Sequence, residues 1–248
     1  MSYSISQAVR ELAEPKLAEF TAKLLPTVDP ARILGVRTPA LRKLSKKLLR
    51  EHPQEVTEFK AAVPHDFQEE DLLHVLLLNE ERDFATWHTE ITSFLPYMTN
   101  WTLTDAVSPA CVKGGKAANL PQLERACLNW MLDDRVYVQR LGTVVLMSLL
   151  GTEYFSPEHL QAVAALAGSE EYYVRVAVAW YFAEALARQE HAALPWFALA
   201  NSSGSTGSPG LPAVTLRMAI TKAIESRRIP DKLKAELRQI RSALPRRS

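Results

Sequence analysis

The chain has 248 residues, and its 47% hydrophobic and 23% charged content is that of an ordinary soluble globular protein with enough length for a large core. No apolar run reaches the roughly 20 residues that a membrane span requires, and only 9 glycines argue against a sheet-rich fold. The formal net charge of +1 neither requires nor excludes a nucleic-acid partner, because only a clustered basic face could supply phosphate contacts.

Apolar periodicity predicts helices from the start of the chain. Residues 5–25 form one or two predicted helices, with Pro15 opening the second. A clear helix start follows, with Thr38 as the predicted N-cap and Pro39 as the first helical residue. The predicted core stripe of this helix is Leu41, Leu44, Leu48 and Leu49.

The same helix carries a basic face, which is made of Arg42, Lys43, Lys46, Lys47 and Arg50. In most proteins such a face is a solvated surface. It becomes a phosphate-binding candidate only if it borders a groove, because a groove concentrates the potential of its charges. The sequence leaves both interpretations open.

Further helices are predicted at about 53–62, 67–79 and 83–94, with proline and aspartate residues marking their starts. The stretch from Tyr97 to Asp105 comes next and is the most distinctive part of the chain.

In this stretch, Thr99 or Asn100 can cap a new helix. Trp101 and Asp105 then share one helix face, because they lie four residues apart. An indole face beside a carboxylate can hold a cation. The alternative is a core tryptophan with an aspartate that the helix dipole stabilises.

This helix is predicted to end near a Gly-rich turn at residues 113–116. The turn lacks the spacing of a phosphate-binding loop and follows a helix rather than a strand, so a nucleotide triphosphate site is rejected there. Pro121 opens another predicted helix, which reaches Trp130 and Met131.

Two later stretches repeat one pattern. Residues 137–144 align with residues 173–180, and each stretch follows acidic residues and runs into a long apolar helix. Ser156 and Pro157 start the helix between them. Helix pairs that recur at this interval are typical of an α-solenoid. With no convincing alternating strand, the sequence predicts an all-α fold of stacked helical repeats.

Near the end of the chain, the Ser- and Gly-rich residues 201–210 predict a flexible surface loop that is too short to show a separate domain. A terminal helical pair is predicted over 211–243, followed by the basic residues Arg246 and Arg247. We therefore expect one repeat domain over residues 1–248.

Cys111 and Cys127 form neither a CxxC pair nor a disulfide framework, and the first residues lack the layout of a signal peptide. These features predict a cytoplasmic protein. The six histidines show no HxxH or HExxH spacing, so no metal ion and no other cofactor is expected. We also expect a monomer that does not associate with a membrane.

Five stretches resemble the AlkD-type DNA alkylation repair family, in the family's order and across nearly the whole chain. They are Gly35-Val36-Arg37-Thr38-Pro39-x-Leu41-Arg42, Asn100-Trp101-x-x-x-Asp105, Tyr137-Val138-Gln139-Arg140, Tyr172 through Trp180, and Ala223 through Ile229. The resemblance implies a curved α-solenoid of stacked HEAT-like repeats whose concave face cradles duplex DNA. It also implies a DNA glycosylase that excises alkylated purines, such as 7-methylguanine and 3-methyladenine, without base flipping.

The resemblance also assigns site residues. Asp105 matches the catalytic carboxylate, Trp101 and Trp180 match paired aromatics at the lesion sugar, and Arg140 matches a basic residue of the same cleft. We expect these four side chains to converge on one partly exposed groove. The face that would contact DNA is predicted to comprise Arg37, Arg42, Lys46, Lys47, Lys113 and Arg140.

The predicted function is DNA repair by hydrolysis of the N-glycosidic bond of alkylated purines in duplex DNA. One alternative is a non-enzymatic DNA-binding or scaffold repeat protein, as in a branch of the family that has no glycosylase activity. Another is a pure protein-interaction solenoid. Structural interpretations also stay open, since Trp180 could be a core residue and Arg140 could pair with Asp133 or Asp134.

Overall fold

A computed structural model describes residues 3–113, 117–199 and 209–245 of the chain. Within these ranges the backbone forms fourteen α-helices and six 3₁₀ helices, and the only strand-like pairing is an isolated bridge between Leu199 and Leu211. The prediction of an all-α fold is therefore confirmed. No helix in this part of the chain combines the length and the apolar character needed to cross a bilayer.

Tertiary contacts divide the chain into two compact units, residues 1–119 and residues 120–248. The α-helices of the first unit are α1 (Ile5–Arg10), α2 (Pro15–Leu24), α3 (Thr38–Glu51), α4 (Pro53–Ala61), α5 (Gln68–Leu78), α6 (Phe84–Phe94) and α7 (Trp101–Ala106). Those of the second unit are α8 (Leu120–Met131), α9 (Val136–Leu146), α10 (Pro157–Ala164), α11 (Tyr172–Arg188), α12 (Glu190–Ala193), α13 (Ala213–Glu225) and α14 (Asp231–Ala243). The single repeat domain stays a prediction.

Local capping signals account for several helix starts. Asp83 accepts a hydrogen bond from the Thr86 amide at 2.8 Å at the start of α6, and Ser156 accepts one from the Glu158 amide at 3.3 Å at the start of α10. Proline lies in the first turn of α2, α4 and α10. The predicted bounds of α4, α5 and α6 are confirmed to within one residue.

Two predicted details of α3 are wrong. The helix begins at Thr38, with Arg37 in the cap position and no side chain capping it, so Thr38 is not the N-cap. Leu49 is 37% exposed, whereas Ser45 is buried. The cause is helical geometry, because one step along the helix turns a side chain by about 100°, which carries Leu49 away from the stripe of Leu41 and Leu48.

The helix α7 is much shorter than predicted and ends at Ala106. Asn79, which directly follows α5, donates from Nδ2 to the Ala106 carbonyl at 2.7 Å and accepts the Ser108 amide on Oδ1 at 2.7 Å. Ser108 also precedes Pro109, and the residue before a proline disfavours the helical conformation. Residues 114–116 of the predicted Gly-rich turn lie outside the described residues.

The helix α5 is the centre of the first unit. All eleven of its residues are buried, and it packs against α1, α3, α6 and α7. Its first turn carries Glu69, Glu70 and Asp71, and buried carboxyl groups require compensating partners. Glu70 accepts two backbone amides of the preceding turn, each at 3.1 Å. Asp71 lies 3.0 Å from Arg32, but burial outweighs this pairing and raises the pKa of Asp71 to about 7.

His74 lies further along the same buried helix. Its ring stacks on Phe94 with a centroid distance of 4.0 Å, and its Nδ1 lies 2.9 Å from Nε2 of His65. Burial lowers the pKa of His74 to about 3, and burial also lowers the pKa of His65. Both rings are therefore uncharged near neutral pH, with one donating its proton to the other.

In the second unit the repeated sequence pattern corresponds to α9 and α11, which pack against each other. Tyr137 and Tyr173 hold the same place in the two helices, and their ring centroids lie 5.6 Å apart. Gly142 allows α9 to approach α8, because a Cβ there would lie 2.6 Å from the Cys127 carbonyl oxygen. Residues 200–208, most of the predicted flexible loop, lie outside the described part, as do Arg246 and Arg247.

Candidate functional site

The candidate site begins at Trp101, the first residue of α7. Asn100 caps the helix, since its Oδ1 accepts the Thr102 amide at 3.0 Å. The indole Nε1 of Trp101 donates to the Leu24 carbonyl at 3.2 Å, which fixes the edge of the ring. The half-buried ring also packs against a small apolar cluster that includes Leu25. Trp101 is thus anchored at its polar edge while part of it stays accessible.

Asp105 lies one turn after Trp101 on the same helix and is half-buried. The hydroxyl of buried Thr104 lies within hydrogen-bond distance of both Asp105 Oδ1, at 3.1 Å, and the Trp101 carbonyl, at 3.0 Å. The predicted indole and carboxylate therefore do share one helix face. A half-buried carboxylate of this kind interacts more strongly with a nearby positive charge than one in bulk water does.

Side chains at both ends of α5 hold α7. At the start of α5, Gln68 donates from Nε2 to the Thr102 hydroxyl at 2.8 Å and accepts a hydrogen bond from Asn100 Nδ2 on Oε1 at 2.8 Å. At the other end, Asn79 bonds the Ala106 carbonyl, as described above. Sequence reasoning missed both residues, because a glutamine or asparagine at the end of a helix has no spacing that signals a partner about 30 residues away.

Glu69, next to Gln68, holds the connection that leads into α3. Its carboxylate accepts the amides of Leu34 at 2.9 Å, Gly35 at 2.7 Å and Val36 at 3.2 Å. Gly35 has a φ of 75°, which a residue with a side chain rarely adopts. The Gly35-Val36 stretch of the family pattern is therefore a backbone feature tied to a buried carboxylate.

A cavity of about 380 Å³ lies beside Trp101 within the first unit. Its apolar wall comes mainly from α2, and its polar wall comes from the starts of α3, α5 and α7. The lining includes Leu17, Leu24, Arg37, Gln68, Trp101 and Thr102.

The predicted DNA-binding cations of the first unit differ in their surroundings. Arg37 forms a two-bond pair with Glu14, at 2.8 and 2.9 Å, and these hydrogen bonds lower the pKa of Glu14. Arg42, Lys46 and Lys47 lie on the exposed face of α3, together with Lys43 and Arg50. Lys47 Nζ lies 6.0 Å from the centroid of the Tyr3 ring. Lys113 is exposed. Arg37 thus already pairs with a carboxylate of the protein at its surface, which leaves its charge less available to a DNA phosphate.

Arg140 and Trp180 belong to the second unit. Arg140 is only 3% exposed, and its Nη1 donates to the Tyr173 carbonyl at 2.8 Å, so it ties α9 to the start of α11. Asp133, one of the partners considered for Arg140, pairs with Arg135 at 2.7 Å. Trp180 is half-buried and lies seven residues after Tyr173, on the same face of α11. The convergence of all four predicted side chains stays a prediction.

The other tryptophans have packing roles. Trp87 and Trp130 are buried, and Trp196 packs against Phe182 with ring centroids 5.5 Å apart. Among the described residues, no group of three or more His, Cys, Asp or Glu side chains is arranged to hold a metal ion.

The all-α fold agrees with the class of protein that the sequence resembles. The chain matches the sequence model of the DNA alkylation repair enzyme family over residues 5–222. It therefore belongs to this family, and its role lies in DNA repair. No curated protein matches the chain.

Proposed function

We propose that the protein is a DNA glycosylase that releases alkylated purines, such as 7-methylguanine and 3-methyladenine, from duplex DNA without base flipping. The observation that supports this most directly is the pair of Trp101 and Asp105 on one face of a helix that α5 holds at both ends. Membership of the DNA alkylation repair enzyme family supports the same conclusion.

The chemistry requires little from the protein beyond charge and shape. A purine alkylated at N7 or N3 already carries a positive charge, so it leaves as a neutral base without a strong general acid. As the N-glycosidic bond breaks, its electron pair goes to the base and the sugar acquires oxocarbenium character. Water then forms the new bond to the sugar carbon and loses a proton.

Asp105 is the proposed catalytic residue. Its carboxylate stabilises the positive charge that develops on the sugar and accepts the proton of the attacking water. The accessible part of the Trp101 indole adds cation–π attraction. In this proposal Trp180 contacts the lesion sugar, and Arg140, which is buried, keeps the start of α11 in place. The exposed cations Arg42, Lys46, Lys47 and Lys113 would contact DNA phosphates.

The test compares the wild type with Asp105→Asn on a duplex that contains one 7-methylguanine, with base release scored by strand cleavage in alkali. The variant keeps the shape of the side chain but removes its charge. Base release should fall on the order of a hundredfold or more, the scale found when one electrostatic stabiliser is lost. Affinity for undamaged duplex should hold or rise slightly, because a carboxylate repels phosphate. The exposed Asp231→Asn serves as the control.

Equal base release by Asp105→Asn and the wild type would exclude a catalytic role for Asp105. A second candidate function is a non-enzymatic DNA-binding or scaffold protein, which is favoured by the pairing of Arg37 with Glu14 and by the burial of Arg140. It predicts no base release by the wild type. In that case salt-dependent duplex binding would indicate a DNA binder, and its absence would indicate a protein scaffold.

A further inference from the structure

We propose that α5 acts as a clamp on α7, in which Gln68 and Asn79 are positioning residues for Trp101 and Asp105. The clamp is defined as these two residues, the first residue of α5 and the residue that directly follows it. The consequence for activity rests on the proposed function, whereas the consequence for the position of Trp101 does not.

The helix α7 needs such support because it has only six residues. A helix this short is marginal by itself, since few hydrogen bonds repay the cost of ordering its backbone. Most of its amides and carbonyls belong to the first or last turn and have no partner within the helix. The position of α7 must therefore be set by groups outside it.

Gln68 is suited to set the start of α7. It is 3% exposed, and its amide makes three contacts, all with residues at the start of α7. These are the bonds at 2.8 Å with Thr102 and with Asn100 Nδ2, and a longer contact of 3.4 Å with Asn100 Oδ1. Asn100 Oδ1 in turn accepts the Thr102 hydroxyl at 2.6 Å. A leucine would fill the same space but could not form these hydrogen bonds. The amide group of Gln68 therefore serves to orient the start of α7 rather than to fill space.

Asn79 sets the other end of α7. Its side chain bonds the Ala106 carbonyl and the Ser108 amide, and its own carbonyl accepts the Ala110 amide at 2.7 Å. Three bonds from one residue thus fix the chain just after Asp105. Gln68 begins α5 and Asn79 directly follows it, and all eleven residues of α5 are buried, so α7 is held against a helix that is itself packed into the core.

The clamp matters for catalysis because an error in position of about 1 Å can cost on the order of a hundredfold in rate. Glu70, two residues after Gln68 in α5, provides a matched comparison. It is equally buried, but its carboxylate caps the start of α5 and makes no hydrogen bond with α7. Loss of Glu70 should lower stability without moving Trp101.

The experiment uses the full-length protein labelled with 5-fluorotryptophan, which gives five ¹⁹F signals, with Trp101→Phe to assign one of them. In Gln68→Leu and in Asn79→Ala, the Trp101 signal should shift or broaden while the other four stay in place. In Glu70→Ala all five should stay in place. In single-turnover assays the two clamp variants should lose roughly ten- to a hundredfold in rate, with duplex Kd unchanged.

An unmoved Trp101 signal in both clamp variants would overturn the proposal, and so would an equal shift in Glu70→Ala. If Gln68→Leu does not fold, Gln68→Glu replaces it, since it keeps the acceptor for Asn100 but cannot donate to Thr102. An unmoved Trp101 signal in that variant also overturns the proposal. If the wild type releases no base but the signal moves as expected, the clamp stands and the glycosylase function fails.

Discussion

The buried ring of His74 should make the stability of the protein depend on pH in a way that one substitution reveals. The ring is 3% exposed, stacks on Phe94 and bonds to His65. Burial lowers its pKa from the ordinary 6.5 to about 3. The folded protein therefore binds this proton more weakly than the unfolded chain does. Acidification below about pH 6.5 therefore lowers the free energy of unfolding. This decrease continues until the pH reaches the pKa of His74 in the folded protein.

The size of the effect follows from this shift. Between pH 6.5 and pH 5, His74 should lower the free energy of unfolding by about 2 kcal/mol. Asp71 acts in the opposite direction, because its pKa of about 7 means that the folded state binds the proton more tightly. Acidification from pH 7 to pH 5 should thus stabilise the fold through Asp71 by about 2 kcal/mol. In the wild type the two contributions nearly cancel.

The substitution His74→Asn separates the contribution of His74 from that of Asp71. The asparagine keeps an amide near the position of Nδ1 as a partner for His65 but does not titrate. The variant should be less stable than the wild type at pH 7, because packing against Phe94 is lost. On going from pH 7 to pH 5, however, its unfolding free energy should rise by about 2 kcal/mol relative to that of the wild type.

The measurement is urea unfolding at both pH values, followed by circular dichroism and by tryptophan fluorescence, with coincident transitions as the condition for a two-state fit. The exposed His191→Asn is the control and should follow the wild type. If His74→Asn and the wild type change equally between pH 7 and pH 5, then His74 is not held uncharged by its burial, and the reasoning fails.

Three further substitutions, the last of them with a matched control, test other parts of the structure. On going from pH 7 to pH 5, the free energy of unfolding of Asp71→Asn should fall by about 2 kcal/mol relative to that of the wild type in the same urea assay. A rise in this free energy would contradict the raised pKa of Asp71. Glu14→Ala should release Arg37, so fluorescence anisotropy should show tighter duplex binding with a steeper salt dependence. Unchanged binding would show that Arg37 does not contact DNA. Gly35→Ala should destabilise the fold by more than about 2 kcal/mol, because its Cβ would lie 2.3 Å from a backbone nitrogen of α2 at a φ of 75°. Gly168→Ala, with nothing within 4 Å of its Cβ, should stay near wild type.

Helix positions could be predicted well wherever the signal is local. The start of α6 depends on Asp83 and an amide three residues away, and that of α10 depends on Ser156 and Pro157. The repeat of α9 in α11 was also visible, because each stretch has the same order of tyrosine and apolar residues. The spacing of Trp101 and Asp105 placed both on one helix face for the same reason.

Prediction failed where a partner distant in sequence decides the outcome. The end of α7 depends on Asn79, which lies 27 residues before the carbonyl that it bonds. The carboxyl groups at the start of α5 also depend on distant partners, because Glu69 binds amides of the Gly35 connection and Asp71 binds Arg32. Neither interaction leaves a spacing that a sequence pattern can show.

The sequence by itself thus determined the all-α class, most helix bounds and the side chains that share a face within one helix, because these depend on backbone preferences and on partners within about one turn. The tertiary structure decided which charges are available. Arg37 and Arg140 read as equivalent cations in the sequence, but one pairs with Glu14 at the surface and the other is buried against the Tyr173 carbonyl. The availability of a charge depends on its solvation and on its partner, and both are fixed only when distant helices pack together.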